Sequence, residues 1–229
     1  MNRRQPGLAL CAALLASALW AGAAGAQQPA KKSSRAAARA ASAPASAAAP
    51  KVDYAQRFAT VCAACHGANG RGEMPEAPVL AGQPSFYVVT QLFLFREGRR
   101  NNEAMTAVAK SFTDADLRGY SDFIGTLPPV PPPPPAQPPD PSRMAKGRAL
   151  AQQNKCFFCH GDDLSGGQQV PRIAGQREDY LRRALHGFRS GSRPAYTQAM
   201  IGATATIAAE DLDTLAYFAA HFQDTPAGK

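Results

Sequence analysis

Two five-residue segments carry chemistry that nothing else in this chain can match: Cys62-Ala63-Ala64-Cys65-His66 and Cys156-Phe157-Phe158-Cys159-His160. The C-x-x-C-H spacing reads as a c-type haem attachment site, in which two thiols form thioethers with haem vinyl groups and the adjoining His supplies an iron ligand. Two intervening residues let one turn of chain present both sulfurs to the same porphyrin edge while the next residue swings beneath the metal. Two motifs imply two haem c groups, held by Cys62, Cys65, Cys156 and Cys159, with His66 and His160 on the irons. A thioredoxin-like redox pair would leave the following His unexplained twice, and the chain lacks the alternating strand and helix pattern to hold such a pair. A zinc site would need both motifs to merge, whereas each is embedded in its own repeat.

The elements that must position these motifs also occur twice. Pro78-Val79-Leu80-Ala81-Gly82-Gln83 matches Pro171-Arg172-Ile173-Ala174-Gly175-Gln176, Tyr87 matches Tyr180, and Phe95-Arg96-Glu97-Gly98 matches Phe188-Arg189-Ser190-Gly191. Met105 pairs with Met200, Asp116-Leu117 with Asp211-Leu212, and Phe123 with Phe218. Each copy reads as helical, which predicts an all-α fold of two tandem domains related by internal duplication. Short helices lead into the motifs around 54–60 and 144–152. Second helices run over 85–97, with Ser85 as cap and Gly98 as stop, and over 178–190 before Gly191. A third begins near Thr113, whose Thr-x-x-Asp arrangement with Asp116 resembles a capping box, and its partner carries Leu212, Leu215, Tyr217 and Phe218. Gly119 inside the first of these costs about 1 kcal/mol relative to Ala, which suggests a close helix contact there. Domains this small build marginal cores, and a covalently held porphyrin would add apolar mass.

Each iron needs a sixth partner. Met105 and Met200 fall at nearly the same distance after His66 and His160, with enough chain between to pass round a porphyrin edge. Their alternative is gap-filling in the core. Met74 follows His66 too closely and has no counterpart, and Met144 precedes its motif. His186 and His221 have no matching His in the first copy and read as helix-surface residues. Pro78 and Pro171 are candidates to offer a backbone carbonyl to the His ring N–H, a bond that fixes ring orientation and tunes the metal. Arg99, Arg100 and Arg193 either reach haem propionates or are solvated loop charges. Met/His ligation closes both faces of the iron, so electron transfer is the default and no residue is assigned a catalytic role.

Arg3 and Arg4, an apolar run from Gly7 to Trp20 and the small residues Ala24-Gly25-Ala26 read as a signal peptide over 1–26, cleaved on export to the periplasm. The apolar run is short for a membrane anchor, and Cys11 lies inside it rather than after it, which argues against a lipoprotein. Residues 27–51 are rich in Ala, Ser, Pro and basic side chains, and are expected to be disordered. The formal charge of +8 is concentrated there: residues 1–51 hold seven bases and no acids, against seven bases and eight acids over 52–127. With the charge in a leader and tail, and no groove-reading motif, nucleic acid is excluded as a partner. The basic tail can instead adhere to an anionic membrane face, a peripheral association. Between haem domain 1 (52–127) and haem domain 2 (143–229), residues 128–142 form a proline-rich linker that favours polyproline II and reads as a stiff strap rather than a docking site.

On the C-x-x-C-H-G segments at Cys62 and Cys156, the Pro-x-[Leu/Ile]-Ala-Gly-Gln segments at Pro78 and Pro171, the Tyr87 and Tyr180 helices and the Met105 and Met200 loops, the chain from about 53 to 224 resembles a di-haem class I cytochrome c of the cytochrome c4 type. The resemblance implies two class I domains packed about a pseudo-twofold axis, with haems near enough for internal transfer. It also implies a periplasmic shuttle passing single electrons from a quinol-oxidising complex toward a terminal oxidase. A haem subunit of a larger dehydrogenase or oxidase complex and a di-haem peroxidase are the alternatives.

Overall fold

The third helix of the first repeat begins where its sequence dictates. Thr113 accepts from the Asp116 N–H while the Asp116 carboxylate accepts from the Thr113 N–H, so two otherwise orphaned donors are satisfied reciprocally. This helix belongs to a computed structural model that describes residues 52–130, 137–193 and 198–223. The signal segment 1–26 and the extension 27–51 lie outside the described residues, as do positions 131–136 of the linker.

The first repeat contains α1 (Tyr54–Val61), α2 (Ala63–His66), α3 (Ser85–Arg96), α4 (Glu103–Ala109) and α5 (Asp114–Thr126). The second contains α6 (Pro141–Gln153), α7 (Cys156–His160), α8 (Glu178–Ser190), α9 (Ala199–Thr204) and α10 (Ala209–His221). Among the described residues the only β pairing is an isolated bridge between Gly167 and Val170, and no helix there is long and apolar enough to cross a membrane. Asp140 caps α6 through the N–H groups of Ser142 and Arg143, with Pro141 at the first position where a missing N–H costs nothing. Gly191 ends α8 in a left-handed conformation.

Two local expectations change. Ser85 is the first residue of α3 rather than its cap, because the chain enters through extended Pro84, whose fixed φ sets the turn. Met105 and Met200, expected in loops, lie in the first turns of the short helices α4 and α9. Asn102 caps α4 by accepting the Met105 N–H at 2.9 Å.

In each repeat the first and last helices pack together, α1 on α5 and α6 on α10, and the middle helix lies across the last, α3 on α5 and α8 on α10. The first core gathers Phe58, Val88, Leu92, Leu117, Tyr120 and Ile124. The second gathers Leu164, Leu181, Leu212, Leu215, Phe218 and Phe222, with Met144 packed against it. Each repeat thus has its own core.

Candidate haem centres

Both attachment motifs are helical, which turns successive side chains far enough to place the two thiols and the His on one side of a short coil. Cys62 and Cys156 are half-buried, Cys65 and Cys159 exposed, and none of the four is in a disulfide. Burial pushes the Cys62 thiol up to about 11 and raises that of Cys156. A redox-active pair would show the opposite, a thiol held down toward the thiolate. Among the described residues no three His, Cys, Asp or Glu side chains gather as a metal cage, so the motifs do not merge into one zinc site.

The chain after each motif folds back by the same hydrogen bonds. The N–H of Gly72 reaches the His66 carbonyl at 2.7 Å, and that of Gly166 reaches the His160 carbonyl at 2.8 Å. Leu80 and Ala81 then donate to the Gly70 carbonyl, as Ile173 and Ala174 do to that of Leu164. Gly72 and Gly166 are required: both have positive φ, and a Cβ on Gly72 would lie 2.6 Å from the Ala77 carbonyl oxygen. This return brings the Pro78 carbonyl to 2.9 Å from His66 Nδ1 and the Pro171 carbonyl to 3.0 Å from His160 Nδ1. A carbonyl only accepts, so in both rings Nδ1 carries the proton and Nε2 keeps its lone pair. Burial lowers the pKa of both histidines, which holds them as neutral imidazoles. That tautomer fits an iron ligand.

Met105 is half-buried and packs on the cluster that also receives Cys62 and Ala63. Met200 is half-buried on α9, and its carbonyl accepts from Thr204 Oγ1 at 2.8 Å. Phe157 packs into the second core and meets Phe218 edge-on, whereas Phe158 points outward with 89% of its surface exposed. His186 lies 2.7 Å from Asp213 and His221 faces the Tyr217 carbonyl. These two rings are engaged on helix surfaces.

The two repeats meet along a seam, as the resemblance implies, and the side-chain pairings that form it are not visible in the sequence. Arg100 and Arg193 both donate to the Tyr180 hydroxyl, at 3.0 and 3.1 Å, Arg100 also donates to Gln91, and Tyr87 joins the cluster. Burial pushes the Tyr180 phenol up, but the two guanidinium charges outweigh it and draw it down to about 7. Among the described residues neither guanidinium has a carboxylate within salt-bridge distance. Two cations sharing a buried phenol without a counter-anion fit a site that receives carboxylates, which is what haem propionates supply. Arg99 is exposed and takes no part in this cluster.

The seam is stitched at two further places. Gln176 accepts from the Val79 N–H at 2.7 Å and donates to the Val79 carbonyl at 2.9 Å; Gln83 accepts from the Arg172 N–H at 3.2 Å and donates to the Arg172 carbonyl at 2.8 Å. Beside this symmetric pair lies an unsymmetric clamp. The Glu76 N–H donates to Asp179, its side chain pairs with Arg183, and Arg177 reaches the Gly72 carbonyl at 3.1 Å while holding Asp179.

The cytochrome c family model matches residues 52–128 and 144–218, one copy for each repeat. The chain is 32% identical over 186 residues to cytochrome c4 of Thiocapsa roseopersicina, across 75% of this chain and 94% of that one. The chain belongs to the cytochrome c family, as a di-haem member of the cytochrome c4 type. A crystal structure of reduced cytochrome c4 from Pseudomonas stutzeri matches with TM-score 0.67 and 25% identity, across 76% of this chain and 100% of the other. The thiosulfate dehydrogenase electron acceptor of Thiomonas intermedia is 35% identical over 151 residues, across 59% of this chain and 65% of its own. The chain is therefore an all-α, di-haem electron-transfer protein with two haem c groups, a carrier and not an enzyme.

Proposed function

We propose that this chain shuttles single electrons through the periplasm between respiratory redox proteins, accepting from a quinol-oxidising complex and delivering toward a terminal oxidase. Cys62 and Cys65 hold one haem c and Cys156 and Cys159 the other, with His66 and Met105 on the first iron and His160 and Met200 on the second. The haem supplies reversible one-electron exchange; the chain supplies fixed, neutral His ligands and closes the remaining face with a thioether, so that little rearranges as the charge changes. The observation that carries this reading is the repetition of the same His-to-proline-carbonyl geometry in both repeats, at 2.9 and 3.0 Å. A site built for substrate would instead need an open sixth position, and both repeats carry a methionine there, Met105 and Met200, each in the first turn of a short helix. Residues 1–26 act as the cleaved export signal in this reading, and the basic 27–51 segment favours contact with an anionic membrane face.

A second reading of the donor has its own support. A relative at 35% identity is named for accepting electrons from thiosulfate dehydrogenase, and a thiosulfate dehydrogenase structure from Marichromatium purpuratum matches 73% of this chain at 29% identity and TM-score 0.62. In this reading the donor is a thiosulfate-oxidising enzyme, and the chain serves it as a separate carrier or a bound haem subunit.

The oxidised protein should show the weak far-red sulfur-to-iron charge-transfer band, and Met105→His and Met200→His should each remove part of it and lower one potential. Stopped-flow oxidation of the reduced protein by a membrane terminal oxidase should be rapid, and oxidation by peroxide slow. An unchanged band in either variant removes that Met from the ligand set, and rapid peroxide turnover replaces the carrier with a peroxidase.

A further inference from the structure

The peptide group that holds each ligand histidine is itself held by a glutamine of the other domain. Pro78 and Val79 share one peptide unit: its carbonyl accepts from His66 Nδ1 at 2.9 Å, and its N–H donates to Gln176 Oε1 at 2.7 Å. Pro171 and Arg172 share the corresponding unit, whose carbonyl accepts from His160 Nδ1 at 3.0 Å and whose N–H donates to Gln83 Oε1 at 3.2 Å. Both glutamines are buried, at 5% exposure for Gln83 and 4% for Gln176, and each spends its amide N–H on the neighbouring carbonyl of the same residue. Two-point binding fixes each side chain in one orientation, in a dry seam where hydrogen bonds polarise one another.

We infer that Gln176 and Gln83 are positioning residues that tune the iron of the opposite domain through a single peptide group. The inference rests on the proposed ligation by His66 and His160. Donation of the peptide N–H to glutamine draws electron density toward the peptide oxygen, which then pulls harder on the imidazole N–H. A more electron-rich imidazole favours ferric iron, so each glutamine lowers the potential of a haem it does not share a domain with. The linkage is reciprocal, since a change in charge at one iron alters the grip on the partner domain's glutamine. The shorter bond makes Gln176 the stronger of the two.

The test uses the full-length holoprotein with each residue replaced by methionine, which keeps length and removes both hydrogen bonds. Potentials are read by redox titration followed by NMR, because backbone amides of residues 52–127 and of 143–222 report the oxidation state of their own domain. Gln176→Met should raise the potential of the haem in domain one, changing its oxidised-to-reduced ratio at fixed potential by up to about tenfold, or about 59 mV for one electron. Gln83→Met should raise that of domain two by a smaller factor. The paired control Glu76→Gln with Arg183→Gln loosens the same seam without changing net charge or touching either peptide, and should move neither potential comparably. If Gln176→Met loses haem, Gln176→Asn is read instead, since it keeps the amide but falls one methylene short.

A shift confined to the mutated residue's own domain, an equal shift of both haems, or a shift matched by the control overturns the relay. Near-infrared magnetic circular dichroism of the unmodified protein separates this from failure of the ligand assignment. Bands of His/Met iron with no cross-domain shift reject the relay alone, while their absence rejects the ligand set on which it stands.

Discussion

In both domains the first and last helices cross so closely that one must carry a glycine, yet the glycine sits on opposite partners. In domain one it is Gly119 on the last helix, lying under the ring of Tyr54 from α1; in domain two it is Gly147 on the first helix, lying against Phe218 from α10. Gly119 corresponds to Thr214 by the offset that pairs Asp116 with Asp211, and Gly147 falls one residue before Arg148, the position matched to Tyr54 by the motif offset. Duplication has preserved the approach of the backbones, not the residue that permits it. The difference also concerns stiffness. A Cβ on Gly119 would strike the far edge of the Tyr54 ring, which can swing toward solvent, whereas a Cβ on Gly147 would strike the Phe218 Cβ, which the helix itself fixes, and would lie 3.2 Å from the Thr214 carbonyl.

Gly147→Ala should therefore have the largest effect of the changes considered, destabilising domain two by about 2–3 kcal/mol through overpacking, even after the helix-propensity gain of about 1 kcal/mol. Gly119→Ala should stay within about 1 kcal/mol of the parent, because Tyr54 gives way at the cost of its bonds to Ala115 and Asp116. Chemical denaturation followed by haem absorbance measures both. Equal losses would show that the two crossings are equally rigid and sink the distinction.

The same two helices differ at their starts. In domain one Asp116 is nearly buried and accepts from the Thr113 N–H at 3.0 Å and hydroxyl at 2.7 Å, and it also pairs with Arg57 and receives the Tyr54 hydroxyl. Burial pushes the carboxyl up, but these donors together outweigh it and hold it below its usual 3.8. A carboxylate with a depressed folded pKa contributes stability that is fully present above the unfolded value and is lost as pH falls through the folded one. Asp116→Asn should cost about 1–2 kcal/mol at neutral pH. The gap between parent and variant should close as pH falls below the usual carboxylate value and through the depressed folded one, because both side chains are then neutral. A gap that stays constant across the acid range would mean that charge at this position does not matter.

How far such features can be read from the chain depends on how local their causes are. The haem-bearing motifs, the duplication and the Thr113–Asp116 box rest on residues close in sequence, and the all-α tandem fold followed from them. Gly119 was legible as a close contact, although Tyr54 as its partner was not. The short helices α4 and α9 were read as loops because a few residues show no apolar period, and only the cap at Asn102 marks the first of them. The domain seam was the least legible part. Gln83 and Gln176 stood in the matched segments without any role, since their partners are backbone atoms 89 and 97 residues away, and polar side chains carry no pattern that points to such partners. Arg100 and Arg193 read from sequence equally well as propionate partners and as solvated charges, and only their convergence on Tyr180 favours the former.

The smallest predicted effect sharpens the comparison by making domain two more like domain one. Ala208 stands where Thr113 stands in the first repeat, in the extended conformation that a cap requires, and without a side-chain acceptor there the Asp211 N–H is left with the Ala208 carbonyl at 3.1 Å, a tighter i to i+3 bond. Three residues on, Asp211 already occupies the position of Asp116, but it is turned to Lys146 at 2.8 Å. That exposed pair is worth little, so it should yield to the stronger local geometry. Ala208→Thr recreates Thr-x-x-Asp: the new hydroxyl accepts from the Asp211 N–H, and the Asp211 carboxylate turns back to the N–H of position 208. The expected gain is about 1 kcal/mol, or a rise of about 4–8 °C in the unfolding midpoint of domain two, with domain one unmoved. Adding Asp211→Ala should remove most of that gain, while the same change without the threonine should cost only a few tenths of a kcal/mol, as loss of an exposed ion pair does. Should Ala208→Thr leave the midpoint unchanged, the missing box is not what separates the two helix starts, and the packing of α10 on α6 alone sets its stability.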